Sequence, residues 1–418
     1  MGAGPAGRPA VAAGSAQQDA PVSLQVLVAG GGIGGLAAAL ACTRAGMQVQ
    51  LFERAAAFGE VGAGIQVGPN VTRILQQWGL AEDLARVASF PTHLQVRHAG
   101  SGDELGVLPL GATSIARYGA PYATVHRADL HQLLLGALRA QAGATLQLDS
   151  ALTSFTQSQS QVRVHDHTGR GHEGDALIGA DGLWSTVRQW LLDDGMPRVT
   201  GHLAYRAMVP QAVLPERLRS GHVTVWIGPH LHVVQYPVRQ GQWLNVVGII
   251  QADLPVPSGG APAPVEGWDH HADAATLRAA LTGSCSPLQD LVRSIDHWRM
   301  WVLCDRPPMR GPREHARGRV ALLGDAAHPM RPYLAQGAGM AIEDAAELGR
   351  QFAIPDSDVA GLMHHFANRR WQRNRRVQAR AIRNGQVFHS TGLLRFGRDT
   401  ALRMLGERLL DVPWLYSG

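Results

Sequence analysis

The sequence predicts an α/β fold: a domain built on a parallel βαβ unit, interrupted by a mainly antiparallel β-sheet domain and followed by a helical C-terminal region. Three observations predict it. First, an apolar strand from Val22 to Ala29 runs into Gly30-Gly31-Gly32-Ile33-Gly34-Gly35, then an alanine-rich helix from Leu36 to Ala45 closed by Gly46, then a second strand from Gln48 to Phe52. That is one βαβ unit in about thirty residues. Second, segments 92–118 and 202–250 carry short alternating strands, such as Val223–Gly228 and Leu244–Ile250, divided by turn residues. Third, strand-type sequence returns at Arg319–Leu323 and helical patterning dominates from Gly339 onward. The length of 418 residues is enough for two to three domains at roughly 150 residues each. The expected division is a flexible tail over 1–21, a discontinuous nucleotide domain over 22–91, 119–200 and 301–354, a sheet domain over 92–118 and 201–300, and helices over 355–418. The Pro/Gly-rich stretch Pro255–Gly267 reads as a surface loop.

Composition narrows the chemistry. The chain has no lysine, so all 38 basic residues are arginine. Schiff-base catalysis and Walker-type phosphate binding are thereby excluded. The net charge of +5 is uneven: from Met363 to Gly418 there are 11 Arg against 3 acids. Cys42, Cys285 and Cys304 show neither a disulfide framework nor metal-ligand spacing, so no metal is expected. With no signal-type apolar core near the start and no long apolar run, the protein is expected to be soluble and cytoplasmic.

Gly30, Gly32 and Gly35 form G-x-G-x-x-G between the first strand and its helix. The first permits a tight turn, the second lets backbone approach a pyrophosphate, and the third allows close helix–strand packing, as in Rossmann-like domains. The helix N-terminus offers free amides and a positive dipole end to phosphates. Glu53 follows 23 residues after Gly30, at the end of the second strand, where its carboxylate can accept from ribose hydroxyls. Asp325 ends a buried apolar strand, at the edge where open α/β sheets bind ligands. In a strand, His232, Val234 and Tyr236 project to one face, where an imidazole and a phenol could relay a proton from a substrate hydroxyl; a satisfied sheet histidine is the plainer alternative.

Three segments carry a resemblance: Glu53-Arg54 with Gly59–Asn70, Asp175–Arg188 around Asp181-Gly182, and Arg319–Pro329 around Gly324-Asp325. Together they resemble, in order and over about residues 22 to 390, the FAD-dependent aromatic-ring hydroxylases of the salicylate, 3-hydroxybenzoate and 6-hydroxynicotinate type. The resemblance implies a Rossmann-like FAD-binding domain holding FAD non-covalently, with NADH or NADPH as co-substrate. Gly30, Gly32, Gly35, Glu53, Arg54 and Arg127 would serve the FAD, although a surface salt bridge is the alternative for Arg127. Asp325 would contact the ribityl chain, and the helix starting near Gly337 and Ala338 would point its first amides at the isoalloxazine. Asp181 either caps a turn or, as the resemblance suggests, serves FAD and nicotinamide by hydrogen bonding. His328 is implied to be scaffold.

The implied activity is hydroxylation of a small hydroxylated aromatic acid by O2 added at flavin C4a, with His232 and Tyr236 as catalytic residues that deprotonate the phenol. Arg206 or Arg331 would meet the substrate carboxylate. Pro332-Tyr333 departs from the hydroxybenzoate and hydroxynicotinate patterns and is closer to the salicylate type. Two other classes stand beside this: an FAD oxidoreductase that inserts no oxygen, and a nucleic-acid binder using Arg369, Arg373, Arg376, Arg380 and Arg383, which recur at helical spacing. A solvated face, or one packed on the acidic remainder of the chain, is the plainer reading of that stripe. Neither nucleic acid nor membrane is expected as a partner.

Overall fold

The computed structural model describes residues 1, 2, 4, 23–59, 63–252, 270–272, 274–355 and 357–417. Most of the expected tail, the loop Pro255–Gly267 and Glu60–Gly62 of the Gly59–Asn70 segment lie outside these residues. A six-stranded sheet runs in the order 316–317, 320–322, 176–179, 25–29, 48–52, 144–147. All its neighbours are parallel except the 316–317 edge strand. Val26, Leu27 and Val28 are fully buried, as strands covered on both faces must be. The helix Ile33–Arg44 begins three residues earlier than expected, because Gly32 is extended and already acts as its N-cap. It packs on the helix Gly337–Phe352 through small residues: a Cβ on Gly349 would lie 3.0 Å from the Ala41 Cβ. A three-stranded antiparallel sheet over Leu152–Gly174, absent from the sequence-based expectation, lies in the same half of the chain.

The second sheet has eight strands, ordered 270–272, 298–305, 198–210, 243–251, 231–238, 223–228, 93–98, 104–109. It is antiparallel throughout except between 223–228 and 93–98. The division expected at 200/201 and 300/301 falls inside the strands Arg198–Pro210 and Trp298–Asp305, which pair with each other. One face of this sheet packs Leu203, Tyr205, Val233 and Val246 against the helices Ala275–Ala280 and Ser286–Arg293. Period-two alternation sends the intervening residues to the other face, towards the first domain.

The helix Val359–Phe388 has 30 residues, about 45 Å at 1.5 Å per residue. It lies against Gly337–Phe352 through charge. Arg373 forks onto Glu343 (2.6 and 2.7 Å), Arg369 reaches Glu347 at 3.4 Å, and Arg376 stacks over Trp414 at 3.9 Å. Three of the five stripe arginines therefore have partners inside the chain, and Glu343 and Asp344 are inter-helix groups. Among the described residues no helix is long and apolar enough to cross a membrane.

Candidate active site

The glycine turn has the form a phosphate cradle needs. Gly30 has φ +102°, and a Cβ there would meet the Ala180 carbonyl oxygen at 2.5 Å. A Cβ on Gly35 would fall 1.8 Å from the Gly30 carbonyl oxygen, so the helix can approach the strand only because that position has no side chain. At Gly32 no atom of the described residues lies within 4 Å of an added Cβ, so this face of the turn is open to them. No side chain caps the helix and no acid sits in its first turn, which leaves its amides and positive end available. Glu53 accepts from the Gly31 amide at 2.6 Å and the Ala55 amide at 2.9 Å, which orients its carboxylate at the turn. Arg54 is exposed beside it.

A second anion-favouring helix start lies at Gly337. It has no side-chain cap, and a Cβ on Gly337 would stand 3.9 Å from Oδ1 of Asp325. Ala338 follows in the same first turn. Asp325 reaches solvent, yet the surrounding protein raises its carboxyl pKa, opposed by His328 and Arg127. Arg127 opens the helix Arg127–Arg139, tied by its amide to the Ala63 carbonyl at 2.7 Å. Burial lowers its guanidinium pKa, against the attraction of Asp325. Asp181 caps: it accepts from Ser185 Oγ (2.5 Å), Thr186 Oγ1 (3.1 Å) and the Val187 amide (3.1 Å) at the start of the helix Thr186–Leu192. An open glycine face, two uncapped helix starts, and the carboxylates of Glu53 and Asp325 are the groups that a dinucleotide such as FAD would use.

The inner face of the eight-stranded sheet brings together Ala204, Arg206, His232, Val234, Tyr236, Asn245, Val247 and Ile249, paired directly across the strands. His232 and Tyr236 share this face as the parity predicts. Four residues along a strand separate them by about 13 Å, so they meet different surroundings. Tyr236 lies under Gly64, whose amide donates to Asn245 Oδ1 at 2.7 Å. Burial raises its phenol pKa, and nearby Arg206 opposes this. Arg206 stacks over Trp301 at 5.0 Å, and its buried Nε has no hydrogen-bond partner among the described residues. Arg331, the other arginine considered, is held by Asp305 at 2.7 Å.

His232 is 1% exposed and packs edge-on to Tyr333 (5.1 Å) and Phe388 (5.5 Å). Its Nδ1 lies 2.8 Å from Nε2 of His389. Burial, with His389 and His202, holds its pKa well below the usual histidine value. His389, His202 and Asn245 lie outside the sequence-based site, and Tyr333 enters it only through the Pro332-Tyr333 departure. Strand parity could have found Asn245 and His202; nothing local marks His389, which is 157 positions away from His232.

Beneath the Gly324-Asp325 turn, His315, His328 and Asp344 converge in a fully buried group. Burial alone would raise the Asp344 carboxyl pKa, but His328 (2.5 Å) and Arg370 (2.7 Å) hold it far below the carboxylate range. With Asn374 also donating at 3.0 Å, the carboxylate is saturated, which fits scaffold rather than metal binding. Burial lowers the pKa of His315 to about 4 and that of His389 to about 3. The folded chain thus refuses protons that unfolded histidines accept below about 6.5, so stability is full above that pH and falls as pH drops toward 4. At pH 5 each histidine is expected to cost about 2 kcal/mol relative to pH 7.5. Thermal melts of the FAD-loaded protein across this window check it, and an unchanged midpoint would contradict it.

Fold and site together define a flavin-dependent oxidoreductase with a second, largely antiparallel sheet beside its nucleotide domain. Residues 23–381 match the FAD binding domain family. The chain is 36% identical over 401 residues to 3-hydroxybenzoate 6-hydroxylase of Polaromonas naphthalenivorans, covering 96% of this chain and 97% of that protein. It is 36% identical over 373 residues to 6-hydroxynicotinate 3-monooxygenase of Bordetella bronchiseptica, covering 89% and 92%. Among solved structures, Klebsiella pneumoniae HpxO complexed with FAD and uric acid aligns with a TM-score of 0.78 at 27% identity, covering 93% of this chain and 94% of that one. A salicylate hydroxylase substrate complex aligns at 0.76 and 25% identity, covering 94% and 97%. The chain belongs to the FAD-dependent aromatic hydroxylases.

Proposed function

We propose that this monooxygenase takes its electrons from NADH or NADPH and hydroxylates a small aromatic acid bearing a ring hydroxyl. The observation that carries this reading is the pairing, on one sheet face, of Arg206, whose Nε has no hydrogen-bond partner among the described residues, with the buried imidazole of His232. A planar guanidinium suits a carboxylate, and a neutral imidazole suits a phenol. FAD, held by Gly30, Gly32, Gly35, Glu53, Arg127, Asp325 and the amides at Gly337 and Ala338, supplies the oxygen-activating chemistry when bound. Arg206 would orient the acid, and Tyr236 beside it would line that end. His232 would accept the phenol proton at Nε2, which raises the electron density of the ring under attack. Val234, Val247 and Ile249 would hold the ring and exclude water.

The test is a visible spectrum of the purified protein, followed by NADH and NADPH oxidation with 3-hydroxybenzoate, salicylate and 6-hydroxynicotinate. A flavin spectrum, with one acid speeding oxidation and yielding hydroxylated product, is expected. Flavin present but no acid giving hydroxylated product would point to an oxidoreductase that inserts no oxygen. Arg206→Gln should raise KM for the acid about 10- to 100-fold, the loss of a charge-assisted hydrogen bond, with a smaller change in kcat. An unchanged KM would remove Arg206 from the carboxylate.

A further inference from the structure

A buried imidazole that takes a proton must pass it on. His232 is enclosed, and the imidazoles of His389 and His202 further disfavour a charge on it. Its Nδ1 lies 2.8 Å from His389 Nε2, so one hydrogen is shared between these atoms. For Nε2 of His232 to accept from substrate, that hydrogen belongs to His232 Nδ1 and His389 Nε2 accepts. His389 then carries its own hydrogen on Nδ1, a buried atom with no hydrogen-bond partner among the described residues. The next ring is His202, 5.3 Å away centre to centre. Its Nδ1 lies 3.0 Å from the Thr200 carbonyl, which can only accept, so Nδ1 holds the hydrogen and Nε2 keeps the lone pair. His202 is half-buried and reaches solvent.

We infer that His389 and His202 form a proton exit from the substrate pocket, running from His232 to His389 to His202 to water. The inference rests on the reading that His232 takes the substrate proton. The balance closes without a further reactant. The phenol O–H breaks as His232 Nε2–H forms, His232 Nδ1–H breaks as His389 Nε2–H forms, and His389 Nδ1–H passes through one intervening water to His202 Nε2 and then to bulk. The other ionisable groups facing this line are Arg331, Asp305, Arg398, Asp399, His230 and Tyr333. Arg331 is paired with Asp305 and Arg398 with Asp399. His230, in the turn before the strand Leu231–Val238, is engaged with Gln251 at 2.8 Å. Tyr333 keeps its proton because burial raises its pKa. The C-terminal helical region thus contributes a positioning and relay residue to a site otherwise built from the two sheet domains.

The test is stopped-flow mixing of the oxidised FAD-loaded enzyme with 3-hydroxybenzoate, salicylate or 6-hydroxynicotinate in weak buffer containing a pH indicator. Flavin absorbance reports binding and the indicator reports proton release. His389→Ala and His389→Gln are expected to slow proton release at least about tenfold, with retained FAD and a binding constant within about threefold of the wild type. Added imidazole should restore the rate in His389→Ala and not in His389→Gln. His202→Gln should slow release less, since water can replace a residue that already meets solvent. Wild-type release rates in both His389 variants would overturn the exit, as would slowing that tracks weakened binding and resists imidazole, the mark of a packing role. If His232→Ala abolishes release while the His389 variants do not slow it, only the exit falls. If His232→Ala releases at the wild-type rate, or no acid releases a proton from the wild type, the base assignment falls and takes the exit with it.

Discussion

His232→Ala is expected to lower coupled hydroxylation by 10²- to 10⁴-fold, the usual loss when a positioned general base is removed. Product formed per nicotinamide oxidised, measured chromatographically, is the readout. Nicotinamide oxidation itself should fall less, because reduction of the flavin asks nothing of the imidazole. The pH profile separates lost base catalysis from a disturbed pocket. As pH rises, more substrate arrives already ionised, so the variant's rate should climb toward that of the wild type. A variant that kept full coupled turnover would remove His232 from the chemistry, and one that stayed equally slow at every pH would point to packing. Removing the ring also opens space beside Tyr333 and Phe388. His232→Gln, which fills most of that space without a comparable base, should therefore behave as the alanine variant does.

Gly35→Ala is expected to yield no FAD-loaded protein, whereas Gly32→Ala should fold and bind FAD more weakly. The two substitutions add the same methyl group at positions three residues apart. At Gly35 it meets the Gly30 carbonyl oxygen at 1.8 Å and carbon at 2.9 Å, both backbone atoms of the turn. Helix and strand would have to separate, beyond the 1–3 kcal/mol typical of overpacking. At Gly32 the methyl meets no atom of the described residues within 4 Å, and the backbone there, φ −73°, suits any residue. Its apo stability should change by no more than about 0.5 kcal/mol. The open space is where the pyrophosphate would approach, so FAD affinity should fall about tenfold or more. Flavin content after purification and a fluorescence titration of the apoprotein measure both. Equal FAD affinity in Gly32→Ala and the wild type would place the phosphates elsewhere.

The nucleotide half of the site is legible in the sequence because its determinants are local. Gly30 to Gly35 act on one turn, and Glu53 reaches the turn from the end of the adjacent strand, by a hydrogen bond to Gly31 across 22 positions. Backbone conformation and steric contact at short range restrict such positions to particular residues, so pattern and context identify them together. His232 and Tyr236 were legible as sharing a face for the same reason: alternation is a property of one strand. What alternation cannot supply is what that face meets. The two residues look into different surroundings, and Arg331 is held by Asp305, 26 positions away, a contact that no local pattern announces.

By itself, then, the sequence determined the α/β class, the βαβ cradle, the order of the three motifs and the parity of the strand that carries His232 and Tyr236. The tertiary structure alone decided that His389 stands against His232, that Tyr333 closes over both, and that three of the five stripe arginines of the long helix are engaged by Glu343, Glu347 and Trp414. The physical reason is range. Turn geometry and strand parity arise from bonded neighbours and leave a periodic trace, whereas burial and the pairing of buried polar groups arise from surfaces that meet only when distant segments pack.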